Sequence, residues 1–152
     1  MDIRIGTLDD KEQLWELAQR AHRETRYGRF PMDRNFVDFQ YTYGVTHPNE
    51  QTTIVADVEG RVVGFLMAYC RCFWFGPSRS AYDLMLYVHP DHRSSSAAPR
   101  LVQAYVNWAK SVGAEDIWIG SSTGIREHDV GRFFERMGFN RIGGVYVFNQ
   151  GK

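Results

Sequence analysis

The chain has 152 residues, and its 18 basic and 18 acidic side chains give a formal net charge of zero at pH 7. This length suits one domain with a hydrophobic core, so we expect a single domain over residues 1–152. A balanced charge supplies no net field for nucleic acid or for an anionic membrane, and neither is an expected partner. Any anion must therefore be bound locally.

The sequence predicts neither a membrane span nor a metal site. Its longest apolar stretch, residues 62–75, is interrupted by Gly64 and Arg71 and falls short of the roughly 20 residues of a spanning helix. The N-terminus lacks a signal-peptide pattern, which favours a cytoplasmic location. Cys70 and Cys72 have no second pair of ligands, so we expect buried, reduced thiols rather than a zinc centre.

Two helices are predicted in the first part of the chain. Residues 3–5 form a short strand, after which Thr7 is typical of a helix N-cap and Asp10 of a capping-box acid. A second helix is expected over residues 33–43. The segment between the helices is rich in arginine and aromatic residues, which indicates a loop.

Three strands follow in the prediction. Residues 52–58 and 62–75 are β-rich and flank Glu59-Gly60, a hairpin signal, and residues 80–88 form the next strand. Strand alternation puts Tyr82, Leu84, Leu86 and Val88 on one face and Asp83, Met85 and Tyr87 on the other. Asp83 is thus expected to point away from the more apolar face.

The second half predicts two strand-helix-strand units. An amphipathic helix opens near Pro99 and stops at Gly113, a strand covers residues 116–120, a helix ends at Gly138, and a last strand covers residues 139–148. The fold class expected is α/β (α+β), with a central mixed, mostly antiparallel sheet of about six strands and helices on both faces.

The segment between residue 88 and the following helix is a candidate anion site. A helix N-terminus offers unpaired N–H groups, and glycine usually allows a phosphate to approach them. Here the small residues are Ser94, Ser95, Ser96, Ala97 and Ala98. A positive φ at any of them would cost about 1–2 kcal/mol. Arg93 offers a bidentate phosphate contact. The residues alone leave an anion site and a plain serine-capped helix start equally open.

Residues 83–139 resemble the GCN5-related N-acetyltransferases (GNAT). The family's loop, Arg/Gln-x-x-Gly-x-Gly/Ala after a Val-x-Pro strand end, is matched by Val88-His89-Pro90 and by Arg93 and Ala98, with Ser96 at the middle glycine. The segment "RFFERMGF" is similar to the family's late helix. The first half of the chain matches only in layout.

The resemblance implies a GNAT-like domain that transfers an acetyl group from acetyl-CoA to an amine by direct attack. The backbone of Ser94 to Ala98, with Arg93, would bind the pyrophosphate, and that of Leu86, Tyr87 and Val88 would pair with the pantetheine. Asp83 is the predicted base, with Glu24 as the fallback. The N–H of Tyr87 or Val88 would stabilise the oxyanion.

The resemblance also bears on the leaving group and the acceptor. Phe134 occupies the position of a family tyrosine that protonates the thiolate, and Tyr87, Tyr105 and Tyr146 are the candidate substitutes. The predicted acceptor residues are Arg26, Tyr27, Phe30 and Trp74. The acceptor would be a small-molecule amine or a protein lysine or N-terminus, and the arginines favour an acidic small amine. A covering surface loop, or a homodimer contact through Trp74, is the alternative.

Two rival functions stay open. The first is a catalytically weak or inactive GNAT-fold module that binds and modulates a protein partner, which the departures at Ser94, Ser96, Glu127 and Phe134 favour. Arg93, Ala98 and Asp83 favour the enzyme. The second, another nucleotide-binding α/β domain, is disfavoured because neither a P-loop lysine nor a dinucleotide fingerprint is present.

Overall fold

The sheet is antiparallel except for its last pair of strands, which is parallel. The computed structural model describes residues 1–148. Its strands are β1 Asp2–Ile5, β2 Gln51–Val58, β3 Arg61–Cys72, β4 Arg79–Val88 and β5 Ala114–Ile117, and its helices are α1 Lys11–Glu24, α2 Arg34–Thr46, α3 Ala97–Ser111 and α4 Glu127–Arg136. The strand order is β1-β2-β3-β4-β5, and only β4 and β5 run parallel. This mixed, mostly antiparallel sheet confirms the expected fold class.

The predicted sixth strand is not formed. Residues 139–148 have no strand, and their apolar side chains are exposed, including Tyr146 at 95% and Phe148 at 84%. A strand needs a neighbour to pair its backbone groups, and the four-residue β5 offers a short edge. Gly143 and Gly144 further weaken the extended conformation. Five strands are therefore present within residues 1–148.

Helices cover both faces of the sheet, as expected. Leu101, Val102 and Tyr105 of α3 are fully buried in one core cluster, together with side chains from β2, β3 and β4. Leu14 and Ala21 of α1 belong to a second cluster on the opposite face. The strands thus form the middle layer, and a residue on β4 faces either α3 or the α1–α2 pair.

Two predicted turns have the geometry that their residues require. Glu59 and Gly60 have φ values of 53° and 84° and join β2 to β3, as a two-residue hairpin of this type demands. Gly113, at φ 84°, follows Val112, the C-cap of α3, and ends the helix. The helix predicted after Thr7 starts as a 3-10 turn over Leu8–Asp10, which leads into α1.

A bulge in β4 overturns the predicted facing of Asp83. Met67 of β3 is opposite Met85, but the next residue, Ala68, is opposite Asp83, so Leu84 is an extra residue. An extra residue inverts the alternation beyond it. Ala68 belongs to the cluster under α3, whereas Met67 packs against the cluster under α1. Asp83 therefore shares the α3 face with Leu86 and Val88, and the prediction that it lies with Met85 and Tyr87 is wrong.

Three further expectations concern the cysteines, the membrane and metal binding. Cys70 is buried but Cys72 is exposed, so the prediction of two buried thiols is wrong for Cys72. No helix between residues 1 and 148 combines the length and the hydropathy that a bilayer crossing needs. The same residues contain no group of three or more His, Cys, Asp or Glu side chains placed to share a metal ion.

Candidate functional site

Three backbone N–H groups are available at the start of α3. The Ser95 N–H donates to the His92 carbonyl at 3.1 Å, and the Ala97 N–H donates to the Ser95 hydroxyl at 3.2 Å. Within residues 1–148 the N–H groups of Ser94, Ser96 and Ala98 have no protein acceptor. They alternate with the bonded ones along the loop. This pattern leaves three donors for an external acceptor.

The loop reaches this geometry without glycine. In the described chain only Glu59 and Arg126 among the non-glycine residues have a positive φ, so no residue of the loop does. Ser96 has φ −79° and ψ 8°, values open to any residue. The Ser95 hydroxyl, which also donates to the His92 carbonyl at 2.5 Å, holds the turn. The strain expected for serine in place of glycine is therefore absent.

The loop also carries a favourable electrostatic potential for an anion. It leads into α3, a 15-residue helix whose aligned peptide dipoles place about half a positive charge at this end. The side chains of Ser94 and Ser96 are exposed and small. A diphosphate can thus approach the three N–H groups without displacing a large side chain.

β4 and β5 pair only at one end and leave an open edge beyond it. Within residues 1–148 their pairing covers Arg79 to Ala81, and the Trp118 N–H extends it by donating to the Ala81 carbonyl at 2.9 Å. On the other side of β4, the His89 N–H donates to the Val63 carbonyl at 2.8 Å.

Ladder alternation in an antiparallel pair then decides which β4 amides face the open edge. Since His89 bonds toward β3, Tyr87 does so too, whereas Leu86 and Val88 direct their amides toward the opening. Of the two oxyanion donors predicted, the geometry thus favours the Val88 N–H over that of Tyr87. Leu86 and Val88 are the residues to which an extended ligand can add as a strand.

Asp83 lies where β4 and the segment after β5 begin to separate. Its Oδ1 accepts the Gly120 N–H at 2.9 Å, across the start of the opening. Burial raises the pKa of Asp83 from 3.8 to about 6, although the Gly120 N–H acts in the opposite direction. A carboxyl with this pKa is ionised at pH 7 and is a stronger base than an exposed aspartate.

Glu24, Tyr87 and Arg93 form a hydrogen-bonded cluster on the α1 face. Glu24 accepts the Tyr87 hydroxyl at 2.8 Å and the Arg93 guanidinium, while Arg93 Nε donates to the Val88 carbonyl at 2.9 Å. Burial alone would raise the pKa of Glu24, but the bonds from Arg93 and Tyr87 outweigh it and hold that pKa below its ordinary value. Burial and the bond to Glu24 raise the pKa of Tyr87 to about 12.

In this cluster, Arg93 and Glu24 bond to each other, an interaction that the sequence did not predict. Arg93 is engaged with Glu24 and Val88, so its guanidinium ties α1 and β4 to the start of the loop. Glu24 is ion-paired and lies on the opposite face from Asp83, which makes it the weaker base of the two. The structure thus places the predicted base, Asp83, and its fallback, Glu24, on opposite faces of the sheet.

Of the tyrosines proposed to replace the family's general acid, two have hydrogen-bonded hydroxyl groups and the third is almost fully exposed to solvent. Tyr105 is fully buried and donates its hydroxyl to the Trp118 carbonyl at 2.6 Å, and burial raises its pKa further from neutrality. Tyr87 donates to Glu24, and Tyr146 is 95% exposed. Phe134 packs against neighbouring phenylalanine rings.

The predicted acceptor residues divide into two groups. The Arg26 N–H donates to the Thr123 carbonyl at 3.1 Å, and the Tyr27 hydroxyl contacts the Ser122 hydroxyl, so both residues are tied to the segment after β5. Phe30 is half exposed and lies under the Arg29 guanidinium. Trp74 is 95% exposed in the β3–β4 turn and packs edge-on against Phe75.

An apolar cavity that sequence reasoning missed lies on the α1 face. It has a volume of about 320 Å³ and is bounded by α1, α2, β3 and β4. Only Tyr27 of its lining was predicted to contact an acceptor. The signal that could have revealed it was the pair of methionines, Met67 and Met85, on adjacent strands. Their faces, however, depend on the β4 bulge.

Solved structures with the same fold cover nearly the whole chain. The aminoglycoside N-acetyltransferase AAC(6')-Iy, solved with a bisubstrate analog, has a TM-score of 0.78 at 18% identity, over 98% of this chain and 97% of its own. Ribosomal-protein-alanine N-acetyltransferase from Brucella melitensis has 0.74 at 20%, over 99% and 100%. Glucosamine-6-phosphate N-acetyltransferase from Arabidopsis thaliana has 0.75 at 14%, over 99% and 98%.

Identities this low establish a shared fold and leave the acceptor undefined. No curated protein matches the chain in sequence. The model of the acetyltransferase (GNAT) family, however, matches residues 11–139, which is well over half of the chain and includes the loop at the start of α3. The chain therefore belongs to the GNAT acetyltransferase family.

Proposed function

We propose that the protein is an acetyl-CoA-dependent N-acetyltransferase that transfers the acetyl group to a primary amine by direct attack. The observation that carries this proposal is the set of three available N–H groups at Ser94, Ser96 and Ala98, at the end of a strand with an open edge. The structural neighbour AAC(6')-Iy, which was also solved in complex with CoA, supports the choice of co-substrate.

The loop and the open edge of β4 hold the two ends of the co-substrate. The N–H groups of Ser94, Ser96 and Ala98 bind the diphosphate, while Ser95 and Ala97 maintain the turn through their own hydrogen bond. Leu86 and Val88 pair with the pantetheine amides along the edge. Acetyl-CoA supplies a thioester whose carbonyl carbon is open to attack by an amine.

Asp83 removes the proton that the amine must lose. An alkylammonium has a pKa of about 10.4, so the acceptor arrives mostly charged at neutral pH. Asp83, with a pKa of about 6, accepts the proton through a bridging water. The Val88 N–H stabilises the oxyanion as the N–C bond forms and the C–S bond breaks. A thiol with a pKa near 8.5 leaves as the thiolate without help from Phe134, and the second proton of the amine, lost as the C–S bond breaks, passes to the released thiolate or to solvent.

Two substitutions at Ser96 test the diphosphate site. Ser96→Glu places a carboxylate at the N-terminus of α3, where it stabilises the helix by about 0.3–1 kcal/mol but repels a second anion. Ser96→Gln is the neutral control of nearly the same size. We expect the glutamate variant to bind acetyl-CoA at least tenfold more weakly than the glutamine variant by calorimetry while melting no lower than wild type, since the glutamine variant carries the added bulk without the charge.

The wild-type protein provides the primary readout. Acetyl-CoA at 100 times its Kd adds about 2.7 kcal/mol to the free energy of unfolding, a shift that a thermal melt detects readily. A flat wild-type melt at millimolar acetyl-CoA would overturn the proposal and favour the protein-binding module. Equal affinities of the glutamate and glutamine variants would instead show that the loop does not bind the diphosphate.

A further inference from the structure

We propose that the acceptor is a primary amine that carries an apolar group, aryl or branched alkyl, and that this group occupies the cavity on the α1 face. The inference rests on the proposed function and specifies its acceptor. A cavity of about 320 Å³ lies near the lower end of the roughly 300–1,000 Å³ typical of ligand pockets. The acceptor is accordingly small.

The lining of the cavity sets its chemistry. Phe65, Met67 and Met85 line it from β3 and β4, and Ala18, Ala21, Phe36 and Val37 line it from α1 and α2. The remaining lining residues are His22, Thr25, Tyr27 and Gln40, so none of them is Asp, Glu, Lys or Arg. A charged group placed among these side chains would find no opposite charge, whereas an apolar group is matched by most of them. The lining thus disfavours both polycationic and acidic acceptors.

The cavity adjoins the edge along which the thioester would lie. Met85, in its lining, is between Asp83 and Leu86 on β4, the strand whose edge opens beyond Ala81. Tyr27, also in its lining, contacts Ser122 in the segment on the other side of the opening. An amine nitrogen extending from the cavity therefore enters the opening from the α1 face, while Asp83 reaches it from the α3 face.

The arginines that favoured an acidic acceptor do not line this cavity. The Arg26 guanidinium stacks over the Tyr27 ring, 5.2 Å from its centroid, and Arg26 does not line the cavity. Arg23 lines a separate polar cleft that it shares with Arg20 and Arg61. The basic character of the early loop is thus separated from the apolar cavity, and it does not define the acceptor's chemistry.

Kinetic discrimination between matched amines tests the proposal. Burying one aryl or branched alkyl group of side-chain size favours binding by a factor of roughly 10–150. We expect kcat/KM for 2-phenylethylamine to exceed that for ethanolamine, kanamycin and glutamate at least tenfold. Comparable values for kanamycin or glutamate would overturn the inference while leaving the proposed N-acetyltransferase activity intact.

Two phenylalanines on α2 offer a matched pair of variants. Phe36 and Phe39 are 75% and 66% exposed, so serine is tolerated at either, but only Phe36 lines the cavity. Phe36→Ser is expected to lower kcat/KM for 2-phenylethylamine about fivefold relative to that for ethanolamine, because part of the apolar contact is lost. Phe39→Ser should alter neither. Equal effects of the two substitutions would contradict the assignment of the cavity.

A binding experiment separates this inference from the proposed reaction. The five methionines are Met1, Met32, Met67, Met85 and Met137, and only two of them line the cavity. In protein with ¹³C-labelled methionine methyl groups and no acetyl-CoA, 2-phenylethylamine should shift the Met67 and Met85 signals and leave Met1 and Met137 unchanged. Ethanolamine at the same concentration should shift none of the four.

The two experiments fail in distinguishable ways. Selective shifts at Met67 and Met85 in a protein that never binds acetyl-CoA would support the cavity and refute the acetyl transfer. A protein that binds acetyl-CoA but shows no methionine shift, or equal shifts with ethanolamine, would refute the apolar acceptor.

Discussion

Replacing Asp83 by asparagine should stabilise the protein at pH 8 while removing the proposed catalytic base. Asparagine keeps an oxygen that can accept the Gly120 N–H, which Asp83 Oδ1 accepts at 2.9 Å, but it has no charge to desolvate. Burial raises the pKa of Asp83 from 3.8 to about 6. Since one pKa unit corresponds to about 1.4 kcal/mol, keeping the carboxylate ionised costs the folded state up to roughly 3 kcal/mol.

The pH dependence of this effect has a defined sign. Because the pKa of Asp83 is higher in the folded than in the unfolded chain, the folded state holds the proton more tightly. Its stabilising contribution is complete below about pH 4 and is lost as the pH rises toward 6 and beyond. The advantage of the asparagine variant should therefore be small at pH 4, grow between pH 4 and 6, and stay constant above pH 7.

Thermal melts of wild type and variant at pH 4.5, 6 and 8 measure this difference. For a chain of this length, roughly 3 kcal/mol corresponds to a rise in Tm of about 6–12 °C. Asp2→Asn, at an exposed position of β1, is the control for removing a negative charge from the surface. A variant that melts below wild type at pH 8, or a difference that does not vary with pH, would refute the argument that Asp83 is a desolvated base.

Three further predictions address the reaction. In wild type, kcat/KM should rise with pH through about 6, where Asp83 ionises. The Asp83→Asn variant should lose this rise, and its rate should fall by a factor of about 10²–10⁴. A rise that persists in the variant would exclude Asp83 as the base. Arg93→Ala should weaken acetyl-CoA binding at least tenfold in calorimetry, since it frees the loop from Glu24 and Val88, whereas unchanged affinity would show that the loop needs no such anchor. Phe134→Tyr should leave kcat within twofold of wild type because the thiolate needs no acid, and a clear increase in stopped-flow or steady-state rates would show that protonation of the leaving group is limiting.

Much of the fold followed from local chemistry. The Glu59-Gly60 pair specified the hairpin, and Gly113 the end of α3, because few residues tolerate a positive φ. The apolar stripe of α3 marked its buried face, with Leu101 and Tyr105 in the core. These features depend on neighbours in the sequence. The single domain, the cytoplasmic location and a homodimer contact stay predictions.

The sequence by itself determined the family, the order of the elements up to α4 and the position of the loop at the start of α3. Only the tertiary structure decided where the functional groups of these elements lie and which of them are free to contact a ligand. The bulge at Leu84 moved Asp83 to the α3 face, and Glu24 on α1 engaged Arg93. The cavity formed where α1 and α2 cross β3 and β4. Each of these outcomes depends on contacts between residues far apart in the chain, and local periodicity carries no information about such contacts.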